Sequence, residues 1–456
     1  MLQPSLKFYK YKQKLTLVIA ASLLAFSVSN ILASENVMVS GVTYNISTVT
    51  FNGPFDYSAV ASTLAAQPWW GTSIENTRLF AAALGTSLGA PNSRNQIGPV
   101  FAFKYSVDPG AMSSAYYVRY SGVGDFYYPW MDTPLTFAIG SLAGPSSTDT
   151  QFSLHNSAER LRSTFNTSAI STNFANMNTY DCNLFDTKGM CISAGGRYTT
   201  VDNPNSNSTS AVVVVGYKAT PNIRIGGFLD QNVSNNTPTG IKVSNKNPLM
   251  GIFAVWNQNA DGLGIQVKLA NAYQDKDVNT TRDVIGTSEA GTGSSNLNTQ
   301  SYVGELSYAF LTNQDKTTLR PYLALRQTTI KQDAYTETGV STPLTYAALK
   351  DRSTTALVGL KLNHAVTPKT TLTASLGIEQ DLEHSVDQYS ATSSSIANLT
   401  SENFNDSIKR TRPVASVGAY YAVSKTQRIS GDVYYQQLPF QSTGSTTAYF
   451  SYMIGL

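Results

Sequence analysis

The chain has 456 residues, enough for two or three domains. Only 13% of them are charged, which is low for a soluble globular protein. A formal net charge of +3 is too small to indicate nucleic acid as a partner, and beyond residue 33 no apolar run has the length of a membrane-spanning helix.

The N-terminus reads as a secretory signal over residues 1–33. Lys7, Lys10, Lys12 and Lys14 supply the positive region, Leu15 to Val28 the apolar core, and Ser27, Ser29 and Ala33 the small residues that precede cleavage. A retained anchor is the alternative, although the apolar core is short for a span.

Residues 35–146 have a different texture and are expected to form a small α+β module, large enough for a modest core. Val42 to Phe51 and Leu135 to Ile139 alternate like strands, as does Ala115 to Tyr120. Ser58 to Ala66 and Glu75 to Leu84 carry helical spacing. Trp69 and Trp70 suit core packing or, alternatively, a sugar platform. Gly85-Thr-Ser87-Leu-Gly89 fits the G-x-S-x-G elbow of a hydrolase. That chemistry needs a histidine base behind the serine. His155, His364 and His384 all lie beyond the module, so Ser87 is expected at a glycine-rich helix exit and no enzymatic activity is expected.

Residues 147–190 are expected to hold a linker, a helix and a cysteine loop. Gly144 to Thr150 has linker composition. Asn156 can cap a helix running from Ala158 to Met177, about 30 Å long. Its few apolar residues sit among Ser, Thr and Asn, which suits a polar, water-containing lumen; a surface linker is the alternative. Cys182 and Cys191 are expected to form a disulfide after export. No cofactor is implied, and the scattered histidines offer no metal site.

From residue 191 to 456 twelve strand-like runs follow, at about 191–202, 209–219, 222–234, 247–258, 262–275, 299–311, 318–333, 351–364, 370–384, 408–423, 427–438 and 446–456. Most are long enough to cross an outer membrane, which takes about 9–11 tilted residues. One face is apolar, as in Leu372, Ala374, Leu376 and Ile378. The other face takes the charges Arg224, Asp230, Lys268, Glu305 and Arg320, followed by Arg326, Glu379, Asp381 and Asp432. These are expected to face a pore, since charge on the lipid face is costly. Leu249 to Trp256 is apolar on both faces and fits this pattern less well. Connections alternate between tight turns and long polar loops, and tyrosines gather at strand ends, as in the aromatic girdles of outer-membrane barrels. The fold class is therefore mainly β: a 12-stranded transmembrane outer-membrane β-barrel with a pore helix, preceded by the module. The last strand ends in Ala448, Phe450, Tyr452, Ile454 and Leu456 on its apolar face.

An even barrel behind a helix and an exported segment resembles the translocator domain of the autotransporter family. The phrases that carry the resemblance are Ser193-Ala-Gly-Gly-Arg197-Tyr, Val214-Val-Gly216-Tyr-Lys with Ile223-Arg-Ile-Gly-Gly227, and Val358-Gly-Leu-Lys-Leu362. The resemblance implies a Gram-negative outer-membrane location, export through the Sec pathway, periplasmic chaperones and a barrel-assembly machinery that reads the last strand. It also implies an N-terminal module displayed on the cell surface for adhesion or envelope interaction, with an unknown surface ligand and no nucleic acid. A channel or structural barrel with a periplasmic module is the alternative. Three departures stand out. The last residue is Leu456 where the family has Phe or Trp, and the module is short and lacks β-helix repeats. Asn173, Asn176 and Asn178 do not form the Asn-Asn pair of members that cut themselves inside the pore, so the module is expected to stay attached.

Overall fold

Alternation of apolar and polar residues produces strands at both ends of this chain, but only the C-terminal set closes on itself. The computed structural model describes residues 34–51, 63–89, 91–92, 96–106, 114–118, 135–176, 180–312, 316–405, 407–438 and 443–456. Residues 1–33, expected to form the signal, lie outside them, as do Asn178, Trp130 and most of the Ser58–Ala66 stretch. The chain divides into two compact units, Met1–Ala143 and Gly144–Leu456.

The first unit is built on an antiparallel sheet of β1 (Glu35–Val39), β2 (Val42–Phe51) and β5 (Leu135–Leu142), in the order β1-β2-β5. Ser40 and Gly41 turn the β1–β2 hairpin, both at positive φ, the geometry that matches strand twist. Helix α1 (Ile74–Leu84) is capped by Ser73, whose Oγ accepts from the Asn76 amide at 3.1 Å. A second pair, β3 (Phe101–Ser106) and β4 (Ser114–Val118), lies in the same unit. Trp69, Phe80, Phe101, Ile46 and Ala138 share its core. Trp69 is wholly buried, with ring centroids 5.1 Å from Phe80 and 4.9 Å from Phe101, so it is a core residue and not a sugar platform.

The second unit starts with helix α2 (Ser147–Phe174). Twelve barrel strands follow: β6 (Met190–Val201), β7 (Ser206–Thr220), β8 (Ile223–Asn236), β9 (Leu249–Asn257), β10 (Gly264–Thr281) and β11 (Thr292–Thr312). The rest are β12 (Thr317–Gln332), β13 (Leu349–Ala365), β14 (Thr370–Val386), β15 (Thr411–Ser424), β16 (Gln427–Gln437) and β17 (Gly444–Gly455). Each pairs antiparallel with its sequence neighbour. β17 returns to β6, with Ala448 opposite Tyr198 and Gly455 opposite Cys191. No sheet edge is left in the wall, which is the condition for strands to cross a bilayer. Among the described residues no helix is long and apolar enough to cross a membrane.

Three features differ from the sequence expectation. The helix starts at Ser147, inside the stretch with linker composition, because Ser146 caps it: its Oγ accepts from the Asp149 amide at 3.0 Å. Asn156 is therefore interior to the helix. Secondly, β10 and β11 run on to Thr281 and back from Thr292 as a continuous hairpin, well past the apolar alternation, because backbone pairing continues where side chains are polar. Thirdly, β9 is apolar on both faces for a reason. Its inner residues Leu249, Phe253 and Val255 pack with Phe228, Val214 and Phe174 in a core inside the barrel.

The plugged lumen as candidate functional site

Helix α2 fills the barrel. Leu154, Ala158, Leu161, Phe165, Ile170 and Phe174 are all buried, although the helix as a whole is polar. Such a helix is weak on its own in water; enclosure by the wall and loops orders it.

Its N-terminal end is fastened by the long loops. The Ser146 amide donates to Thr287 Oγ1 at 2.8 Å, and the Thr287 amide and hydroxyl donate to Asp149 Oδ2 at 2.8 and 2.9 Å. Arg160 forms a bidentate pair with Asp283. Gln151 Nε2 donates to the Thr400 carbonyl at 3.0 Å, and the Thr400 amide donates back at 2.9 Å. His155 Nδ1 lies 2.9 Å from Glu402 Oε2. Arg162 is buried and donates to the Phe404 and Asn403 carbonyls. Around these contacts Leu161 and Phe165 share a core with Tyr335, Tyr346, Tyr389 and Phe404 of the loops. Tyr335 and Tyr346 stack at 4.5 Å, and burial pushes the Tyr335 phenol up to about 12. The loops also brace one another. Glu289 accepts from the amides and hydroxyls of Ser341 and Thr342 at 2.5 to 3.1 Å. Burial opposes its ionisation, but these bonds prevail and hold the carboxyl at about 2.

At the other end Phe174 sits edge-on to Tyr180, Tyr434 and Tyr449, with centroids 4.9 to 5.7 Å away. The Tyr180 hydroxyl donates to Asp230 at 2.5 Å, and Arg197 Nε donates to the same carboxylate at 2.8 Å. The Cys182–Cys191 disulfide, with Cα atoms 5.7 Å apart, then joins the post-helix loop to the start of β6. Cys182 comes so close to β7 that a Cβ on Gly216 would lie 2.9 Å from its carbonyl oxygen.

Between the two ends the helix is held differently. Both amide atoms of Asn166, the Ser171 hydroxyl and Asn173 Oδ1 are buried with no hydrogen-bond partner among the described residues. Groups of this kind are satisfied by internal water. The barrel wall also carries a buried charge mesh. Arg326 pairs with Glu379 at 2.9 and 3.0 Å, and Arg412 with Asp381 at 2.7 and 2.8 Å. His384 bridges Asp381 and Asp351 at 2.9 and 3.0 Å.

The charges singled out by alternation all lie on the inner side. Asp230, Lys268, Glu305, Arg326, Glu379 and Asp381 are buried there, and Arg224, Arg320 and Asp432 line a cavity at the short-turn end. On the last strand Phe450, Tyr452 and Leu456 are exposed on the outer face, with Ala448 and Ile454 half-buried beside them. The outer surface is a belt of exposed Val, Leu, Ile and Tyr. Tyr217, Tyr308 and Tyr421 are exposed at short-turn ends, and Tyr302 and Tyr435 towards the long loops.

Sequence reading missed several lumen residues. Arg197 could have been found by parity, since Cys191, Ser193 and Thr199 share its face. His384 could not. The β13–β14 register shifts between Thr354 and Thr355, so Leu382 and Glu383 are both exposed and His384 turns inward against parity. In the serine motif Ser87 Oγ donates to the Leu84 carbonyl at 2.7 Å at a helix exit, and residues 1–143 include no histidine. Among the described residues no group of His, Cys, Asp and Glu is arranged to hold a metal ion.

A closed antiparallel wall that is apolar outside and charged inside, with a helix through its lumen, defines an outer-membrane β-barrel of the translocator type. The Autotransporter beta-domain family profile matches residues 192–436. The chain belongs to that family, and its barrel resides in the outer membrane of a Gram-negative bacterium. Among solved structures it is similar to the translocator domain of the autotransporter NalP from Neisseria meningitidis, at 18% identity, a TM-score of 0.47, and coverage of 64% of this chain and 95% of that one. It is also similar to the transport unit of the autotransporter AIDA-I from Escherichia coli, at 12% identity and a TM-score of 0.39, covering 63% of this chain and 97% of that one. The beta domain of the Bordetella autotransporter BrkA matches at 13% identity and a TM-score of 0.40, covering 59% and 100%. No curated protein matches the chain.

Proposed function

We propose that the barrel anchors the chain in the outer membrane and carries the short module of residues 35–146 to the cell surface. There the module acts in adhesion or envelope contact, without catalysis. The observation that supports this reading is the direction of the helix. Its N-terminal end, at Ser146 to Asp149, is fastened to the long loop that carries Thr287, and long loops face outward in barrels of this kind. The chain just before the helix therefore leaves from the outward end. The barrel reaches the membrane through periplasmic chaperones and a barrel-assembly machinery that engages the exposed face of β17.

The test is protease shaving of intact cells. Thr150 is a poor place for an epitope, because it is buried in the helix. The Ser40–Gly41 hairpin turn is the better site. Digestion of the epitope while the outer membrane stays sealed supports display. Survival until the membrane is opened would instead make the module periplasmic and the protein a plugged channel or structural barrel. The module is expected to stay attached: Asn173 and Asn176 are not adjacent, and Asn178 lies outside the described residues. A barrel fragment starting inside α2, found in mature membranes, would contradict this. Ser87→Ala is expected to leave function unchanged.

A further inference from the structure

The outward face of the barrel carries a groove of about 1180 Å³ between β7 and β13. Strand register explains where it lies. Ile225, Ala254, Leu269, Gly304 and Leu325 stand side by side across β8, β9, β10, β11 and β12. Ala254 and Gly304 set small residues among larger ones, so this apolar row forms a notch. Towards the long loops the next row is Asn271, Tyr302, Gln327 and Thr354, again in direct register and all lining the groove. Beyond it come Tyr273, Gln300, Thr329 and Arg352, and then Asn298, Lys331 and Lys350. Within a few residues the face passes from apolar to hydrogen-bonding to cationic.

Several groups at the head of the groove have capacity to spare. The β9–β10 ladder is interrupted between Met250–Tyr273 and Phe253–Ala270, and there Asn271 Oδ1 accepts from the Ile252 amide at 3.0 Å. Its Nδ2 is left as a donor with no hydrogen-bond partner among the described residues. The Tyr302 and Tyr273 hydroxyls accept from Gln300 Nε2 and Asn298 Nδ2, so their own O–H groups remain to donate. Lys331 pairs with Asp333 at 2.8 Å. Lys350 and Arg352 are exposed and form no ion pair among the described residues. Of the carboxylates beside them, Glu383 stands opposite Thr354, and Asp387 accepts from the Lys350 backbone amide at 3.0 Å. Lys331 and Lys350 face each other directly across the ladder, and like charges so placed are destabilising.

We propose that this groove binds an acyl chain of a phosphorylated glycolipid of the outer leaflet. The chain fills the notch, ester and hydroxyl oxygens of the lipid accept from Asn271 and the two tyrosines, and a phosphate meets Lys350 and Arg352. Charge-assisted bonds from such cations to phosphate are the strong ones. A zwitterionic phospholipid fits less well, because its own ammonium would meet the two cations. The outer-leaflet source rests on the long loops facing outward, a premise shared with the proposed function. In detergent the barrel has no sidedness, so lipid binding and protease shaving can fail independently.

The full chain, folded in a non-ionic detergent, is mixed with bis-phosphorylated lipid A and, separately, with phosphatidylethanolamine. Bound lipid is counted by native mass spectrometry. The parent is expected to retain one lipid A per chain and to release phosphatidylethanolamine more readily. Gly304→Leu fills the notch: a Cβ there meets Leu269 Cδ2 at 3.6 Å, an ordinary contact, so the wall accepts a side chain. That variant is expected to lose the bound lipid. Lys350→Gln with Arg352→Gln is expected to weaken lipid A binding by about tenfold or more. Folding of each variant is checked by gel mobility. Equal retention of the two lipids by the parent, or undiminished lipid A on folded Gly304→Leu, would overturn the proposal.

Discussion

Asp230 is the residue whose replacement tests the interior most directly. Its side chain is fully buried and so is that of Arg197, at 0% and 1% exposed. Arg197 reaches it through Nε at 2.8 Å and Nη2 at 3.2 Å, and the Tyr180 hydroxyl completes the site. Asp230→Leu strands the guanidinium, which keeps only Thr199 and Ser210 as partners. Breaking a buried pair in this way costs about 3–5 kcal/mol, or roughly two to three and a half powers of ten in the folding equilibrium. Tyr180→Phe, which removes one bond to a charged acceptor, costs about 1.5–3 kcal/mol. Arg197→Met with Asp230→Leu removes both charges and is expected to recover most of the loss. Adding Tyr180→Phe removes the remaining orphan hydroxyl and brings the triple variant close to the parent. The assay is a urea series in lipid vesicles, read by the gel mobility difference between folded and unfolded barrel. A cost below about 1 kcal/mol for Asp230→Leu, or a triple variant as unstable as the single, would refute the argument that the uncompensated charge is what matters.

Further expectations follow from the same contacts. Replacing Cys182 and Cys191 by Ala opens a short loop and is expected to lower stability by about 2–3 kcal/mol on the chain-entropy estimate. Identical midpoints for the parent with and without reductant would count against it. Leu376 is 68% exposed on the outer face, so Leu376→Arg is expected to cost about 2–4 kcal/mol when the barrel folds into lipid. A neutral effect would place that position outside the hydrocarbon layer. Glu289 titrates at about 2 in the folded loops against an ordinary 4.5. Its contribution is therefore complete above about pH 4.5 and is lost as pH falls through about 2. Hydrogen exchange at Ser341 and Thr342 is expected to quicken between those limits in the parent and to be already fast at neutral pH in Glu289→Gln. Equal protection in the two proteins at neutral pH would remove Glu289 as the brace.

Much of this molecule was legible in one dimension because a barrel wall separates two solvents. Parity along Leu372 to Ile378 states which side of β14 meets lipid, and no distant residue is needed to decide it. The same holds for β17, whose exposed Phe450, Tyr452 and Leu456 follow from counting in twos. The twelve strands, the α+β texture of the module, the even closure and the polar helix destined for a lumen are all local signals. So was the absence of a base near Ser87, since it needed only the positions of three histidines.

What the sequence could not decide depends on closure. Strand β9 looked wrong for a barrel until its inner face met Phe174 and Phe228. His384 faces inward because a bulge resets the parity of β14. The start of α2 was hidden because Ser146 caps it and Thr287, far along the chain, accepts the Ser146 amide and donates to Asp149. Lys268 is likewise left without a hydrogen-bond partner among the described residues by the closed lumen, where Glu305 across the ladder is held by Lys361 instead. Side-chain parity is fixed by backbone pleat and is local. Which buried charge finds a partner is fixed by residues that only the closed barrel brings together, and no spacing in the sequence encodes that choice.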